Sequence, residues 1–108
     1  MSITVHLFYT GVNGNARKFA EEMISSGTVQ KIREEKGNIG YSYFVSMEDP
    51  ETVLLVDQWE NQEALDIHHA SEMMQTIASL RNKYDLHMKI ERFSSEESPV
   101  KDDSFIRK

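Results

Sequence analysis

A tryptophan and a histidine nine residues apart form the one chemical-looking unit of this 108-residue chain. The stretch reads Asp57-Gln58-Trp59-Glu60-Asn61-Gln62-Glu63-Ala64-Leu65-Asp66-Ile67-His68-His69. An apolar strand pattern ends at Trp59. An amphipathic helix pattern starts at once behind Asn61 and delivers His68 near its end. Trp59 supplies an aromatic platform. His68 supplies a group that titrates near neutrality, with a reference pKa of about 6.5. Each also has an ordinary structural reading. Trp59 can plug a corner of the core, and His68 can satisfy the last carbonyls of a short helix, where histidine is favoured. From the residues alone both readings stay open.

Little else competes with this unit. There is no phosphate-binding glycine loop and no nucleophile elbow. His6, His68, His69 and His87 make neither a His-x-His nor a Glu-x-x-His pattern, so no metal site is expected. His69 points about 100° away from His68 on a helix and is expected to be exposed. Met73-Met74 reads as core. The pairs Glu21/Glu22 and Glu34/Glu35 read as solvated helix face. Asp57 and Glu60 flank Trp59 and are candidates to support His68 from behind.

Composition narrows the function classes. The chain has no Cys, which removes disulfides, thiolate catalysis and Cys-ligated metal together. Its net charge of -6 disfavours nucleic acid and anionic membrane surfaces as partners. The longest plainly apolar run, Val53-Leu54-Leu55-Val56, is too short to span a bilayer. Ile3-Thr4-Val5-His6-Leu7-Phe8-Tyr9 enters a strand pattern at once, without a signal-peptide profile. A cytoplasmic protein is expected.

The spacing of apolar residues predicts one domain over residues 1–93 and a polar, loosely ordered tail over 94–108, in which Phe105-Ile106 is available to dock. The first strand is read from Ile3 to Thr10. A turn follows, with Asn13 or Asn15 as helix cap. A long helix then runs to about Lys36, with a kink or break at Ser25-Ser26-Gly27-Thr28, and Gly37 or Asn38 ends it in left-handed geometry. Tyr41 to Met47 and Thr52 to Trp59 form a hairpin around Pro50. Asn61 caps a short helix, and a further helix from Ser71 carries Met73, Ile77, Leu80 and Tyr84 on one stripe. Leu86 to Phe93 is the last strand.

The order β-α-β-β-α-β is the ferredoxin-like α+β plan, with helices on one face of a four-stranded antiparallel sheet. Both faces of the middle strands look apolar: Tyr41, Tyr43, Val45 and Met47 oppose Phe44, and Val53, Leu55 and Trp59 oppose Leu54 and Val56. The face without helices therefore needs a cover. A second copy packed sheet to sheet as a two-fold homodimer is the simplest one.

From about Ile3 to Phe93 the chain resembles the antibiotic biosynthesis monooxygenase domains. These are quinol-monooxygenase-like proteins of the dimeric α+β barrel superfamily. Val56-Asp57-Gln58-Trp59, followed by a helix with Ala64-Leu65 and His68, is similar to the family's pattern of an acidic residue, a spacer and Trp before a helix bearing His. Glu35-Lys36-Gly37-Asn38-Ile39-Gly40-Tyr41 is similar to its helix end and entry to the second strand. Where many members continue with Thr-Pro-His, this chain has Ser71-Glu72-Met73.

The resemblance implies a dimeric α+β barrel. It also implies oxygenation by molecular oxygen of a small quinol or aromatic polyketide-type substrate, without metal or flavin. On that reading His68 accepts a proton and is the catalytic residue. Trp59 or the tyrosines stack on the ring, and His6, Tyr41 and Tyr43 orient a hydroxyl. Two other functions fit the same scaffold. One is an isomerase of a small phosphorylated or keto compound, which needs a basic anchor from Arg81 or Lys89. The other is a non-catalytic small-molecule-binding dimer.

Overall fold

The computed structural model describes residues 2–96 and 100–107. Its elements run β1 (Ile3–Thr10), α1 (Asn15–Ser25), α2 (Thr28–Arg33), β2 (Asn38–Val45), β3 (Thr52–Trp59), α3 (Gln62–His69), α4 (Met73–Lys83) and β4 (His87–Ser94). The strands form one antiparallel sheet in the order β2-β3-β1-β4. This is the ferredoxin-like α+β arrangement anticipated from the element order.

Alternation along the strands decides which residues meet the helices. Ile3, Leu7 and Tyr9 of β1 and Val53, Leu55, Asp57 and Trp59 of β3 are buried on the helix side. Tyr41 of β2 stands opposite Asp57 and joins them. Phe19 and Met23 of α1, Val29 and Ile32 of α2, Ala64 and Leu65 of α3, and Ile77 and Leu80 of α4 close over this layer. The other face carries His6, Phe8, Leu54, Val56, Phe44 and Phe93 in register with one another. Phe44 and Phe93 there are 54% and 45% exposed.

The predicted long helix is broken at Gly27, whose φ of 82° starts α2 afresh. The break turns Val29 and Ile32 inward. Gly37 takes the left-handed geometry expected of it, at φ 85°. The predicted caps of α1 differ from the structure. Gly14 holds the cap position, and the amides of Asn13 and Gly14 both donate to the Glu51 carboxylate at 2.8 Å. Asn15 instead donates its side chain to the Tyr84 carbonyl at the end of α4.

β2 begins at Asn38 rather than Tyr41, because the Asn38 side chain bridges an irregularity in the ladder by donating to the carbonyls of Gly40 and Gln58. Met47 lies beyond the strand and is fully exposed. The tail holds a 3₁₀ helix at Val100–Phe105, where no element was expected. Phe105 and Ile106 are exposed and undocked. Among the described residues, no helix is long and apolar enough to cross a membrane.

Candidate active site

α3 exists because Asn61 caps it and Leu65 anchors it. The Asn61 side chain accepts from the Ala64 amide at 2.9 Å, which satisfies one of the orphan donors of the first turn. Ala64, Leu65 and His68 then recur at helical spacing on the buried side. The cap therefore places His68 in the interior, with its side chain 3% exposed. Its ring stacks on Trp59 at 4.7 Å between centroids and 26° between planes.

The imidazole has a partner that sequence reasoning assigned to solvent. His68 Nδ1 lies 2.7 Å from Glu35 Oε2, and the Glu35 side chain is 13% exposed. An ionised carboxylate only accepts, so Nδ1 carries the proton and donates. Nε2 is left as the ring's unengaged nitrogen. Burial lowers the His68 pKa below its ordinary value, opposed by the hydrogen bond and charge of Glu35. Burial thus favours the neutral imidazole, the form a proton acceptor needs, and the Glu35 contact orients the ring. Neither Asp57 nor Glu60 fills this supporting role.

Asp57 has a different one. Trp59 Nε1 donates to its Oδ1, which fixes both side chains. Burial pushes the Asp57 carboxyl up to about 6, against the Trp59 hydrogen bond and with help from the charge of Glu35. It is half-protonated near pH 6 and mostly ionised at neutrality, where it accepts.

His68 and Asp57 share the wall of one cavity of about 260 Å³ between α3, α4 and the sheet. Tyr41 and Arg81 complete its polar lining together with His69 and Arg92, while Leu7, Leu55, Met74, Ile77, Met88 and Ile90 make it apolar. Burial raises the Tyr41 phenol well above its ordinary pKa, so it remains a donor. Arg81 donates from Nε and Nη2 to the Tyr9 hydroxyl at 3.1 and 2.9 Å.

The five predicted site residues thus separate. His68 and Tyr41 line the cavity. Trp59 is fully buried and backs His68 from outside the lining, so it is placed to hold the imidazole rather than to receive a ring. Tyr43 packs edge-on against Phe19 and Tyr41 outside the lining, and its hydroxyl is buried without a partner. His6 lies on the opposite face of the sheet, 4.9 Å from the Phe93 ring. His69 is exposed, as expected, at the cavity rim. Among the described residues, no three His, Cys, Asp or Glu side chains gather as a metal site would require.

Glu35, which reads as solvated in sequence, and Arg81, named only as a possible anchor, left a signal of their inward placement. Glu35 follows the buried Ile32 by three positions, and Arg81 follows Ile77 by four, which puts both near an inward face. Lys89, the other basic candidate, sits over the Phe8 ring on the far face.

The model of the antibiotic biosynthesis monooxygenase family matches residues 2–80. The chain belongs to that family. No curated protein sequence matches it. Solved structures do. A conserved protein of unknown function from Bacteroides thetaiotaomicron superposes with a TM-score of 0.74 at 22% identity, over 85% of this chain and 95% of that one. A conserved protein from Methanosarcina mazei gives 0.75 at 20%, over 89% and 94%. SnoaB, a cofactor-independent oxygenase from Streptomyces nogalater, gives 0.74 at 10%, over 92% and 97%. At these identities the likeness speaks for the fold.

Proposed function

We propose that the protein is a cofactor-independent monooxygenase acting on a small dihydroxy-aromatic substrate of the quinol type. The observation that carries the reading is the buried His68, held at Nδ1 by Glu35, on the wall of a largely apolar cavity. Family membership and the SnoaB likeness agree with it.

Ground-state oxygen is a triplet and reacts slowly with closed-shell organics. A quinolate removes that obstacle by giving up one electron itself. His68 Nε2 takes the proton from a ring hydroxyl. The anion passes one electron to oxygen, and the resulting radical pair closes a carbon–oxygen bond. The ring hydroperoxide then loses water. One oxygen atom stays on carbon and the other leaves in that water, so quinol plus dioxygen gives hydroxyquinone plus water. Tyr41 supplies a hydrogen bond where charge develops, beside largely apolar walls.

Size favours the quinol over a polyketide. An apolar void of about 150 Å³ holds benzene, so about 260 Å³ fits one substituted ring better than three fused ones.

We further propose that two copies pair through the sheet face bearing Phe8, Leu54, Val56, Phe44 and Phe93, which has no helix to cover it. Light scattering on the eluting protein reads the mass directly. A cytoplasmic location and a boundary near residue 93 belong to the same proposal.

The second reading, an isomerase, draws support from Arg81, the basic group it requires on the cavity wall. Oxygen uptake separates the two. A panel of quinols in air is expected to give turnover above the buffer rate, lost in His68→Ala. Absence of uptake, or uptake unchanged in that variant, sinks the oxygenase. Substrate conversion under argon supports the isomerase.

A further inference from the structure

Among the described residues, Arg81 forms no ion pair. It sits on α4, half-buried, with its guanidinium 5.5 Å from the Tyr9 ring centroid. Two of its five N–H donors go to the Tyr9 hydroxyl. Among the described residues, the ion pairs are Arg17–Glu21, His68–Glu35 and Lys83–Glu22, and none reaches it. A partly desolvated charge held by a neutral phenol is costly unless something else pairs with it. Tyr9 is fully buried, so the head group is held in one orientation. Arg92 adds a second cation to the same cavity, at the rim, its Nη2 bonded to Gln62 Oε1 at 2.5 Å. Two cations and one carboxyl group, Asp57, line that cavity in a protein of net charge -6.

We propose that Arg81 is the anchor for a carboxylate on the ligand, and that the substrate class is the monocyclic hydroxylated aromatic acids. The planar fork matches a planar carboxylate through two parallel hydrogen bonds. Arg81 fixes one end of the ring, with Arg92 reinforcing it. His68, on the same cavity wall, is then presented with a ring hydroxyl. The hydroxyl part of this assignment rests on the oxygenase reading. The acid part stands on Arg81 and Tyr9 alone.

The test is isothermal titration calorimetry without oxygen, comparing a dihydroxybenzoate with the dihydroxybenzene that lacks only its carboxylate. A phenyl phosphate forms the third arm. The acid is expected to bind at least about tenfold more tightly than the diol. In Arg81→Gln that ratio falls to about one, and Tyr9→Phe, which frees the guanidinium without removing it, gives an intermediate ratio. Circular dichroism confirms folding, and the Tyr9→Phe result keeps the test decisive should Arg81→Gln fail to fold. Equal binding of acid and diol, no binding of either, a preference that survives Arg81→Gln, or tighter binding of the phosphate overturns the proposal. Tight acid binding without later oxygen uptake retains the anchor and removes the oxygenase reading.

Discussion

Glu35 and His68, thirty-three residues apart in sequence, meet through a 2.7 Å hydrogen bond from Nδ1 to the carboxylate. The pair joins the chain just beyond α2 to the end of α3 and leaves Nε2 unengaged. A His–carboxylate pair of this kind sets the tautomer and tunes the basicity of the ring.

Glu35→Gln tests the tuning. The bond and the charge of Glu35 hold the His68 pKa up against burial. Removing the charge drops it further below about 6.5. As a general base His68 is competent when neutral, so activity is lost as pH falls through its pKa. The acidic limb of the rate profile is expected to move to lower pH in the variant, with a plateau reduced about tenfold or more. An NMR titration of the His68 ring locates the same shift without substrate.

Asp57→Asn is expected to stabilise the protein at alkaline pH. The folded pKa of Asp57 is about 6 against an ordinary 3.8. A raised carboxyl contributes stability below its unfolded pKa and loses it as pH rises through the folded value. Asn keeps an acceptor for Trp59 and cannot ionise. Urea unfolding should show a gain of the order of 3 kcal/mol near about pH 8 and none near about pH 4.

Trp59→Phe removes the donor to Asp57 and part of the surface on which His68 stacks. A buried acceptor left unpaired costs about 1–3 kcal/mol, which urea unfolding can read. Because the Trp59 bond lowers the Asp57 pKa, its loss should move that carboxyl above about 6, visible in a carboxyl-detected NMR titration.

Gly37→Ala should damage stability and activity together. Gly37 has φ +85°, and an added Cβ would meet the Ala64 Cβ at 2.5 Å. Left-handed strain and overlap each cost about 1–2 kcal/mol or more. Ala64 belongs to the helix that carries His68, so the displaced α3 is expected to slow the reaction as well. Thermal melting and initial rates check the two effects.

The fold was legible because its evidence is local. Alternation at Ile3–Thr10 and Thr52–Trp59, the Asn61 cap and the break at Gly27 each act within a few residues. The site was half legible for the opposite reason. His68 was marked by its helix, yet its partner Glu35 comes from the far end of the preceding β-α unit, and only the assembled sheet and helix layer bring them together. Residue type alone marks Trp59, Tyr43 and His6. Which of them meets the cavity depends on pleat and packing depth: Trp59 and Tyr43 share its side of the sheet but fall outside its wall, and His6 falls on the other side. One missed element, the 3₁₀ helix at Val100–Phe105, carries no strong period to read.

Isotopically labelled dioxygen reports directly on oxygen transfer by His68 and its cavity. The protein, freed of metal and flavin, is supplied with the best-binding dihydroxy-aromatic ligand under labelled gas, and the product mass is read. One labelled oxygen atom is expected in the product of the parent protein, and none above background in His68→Gln. Unlabelled product, or equal labelling in the variant, would contradict that expectation.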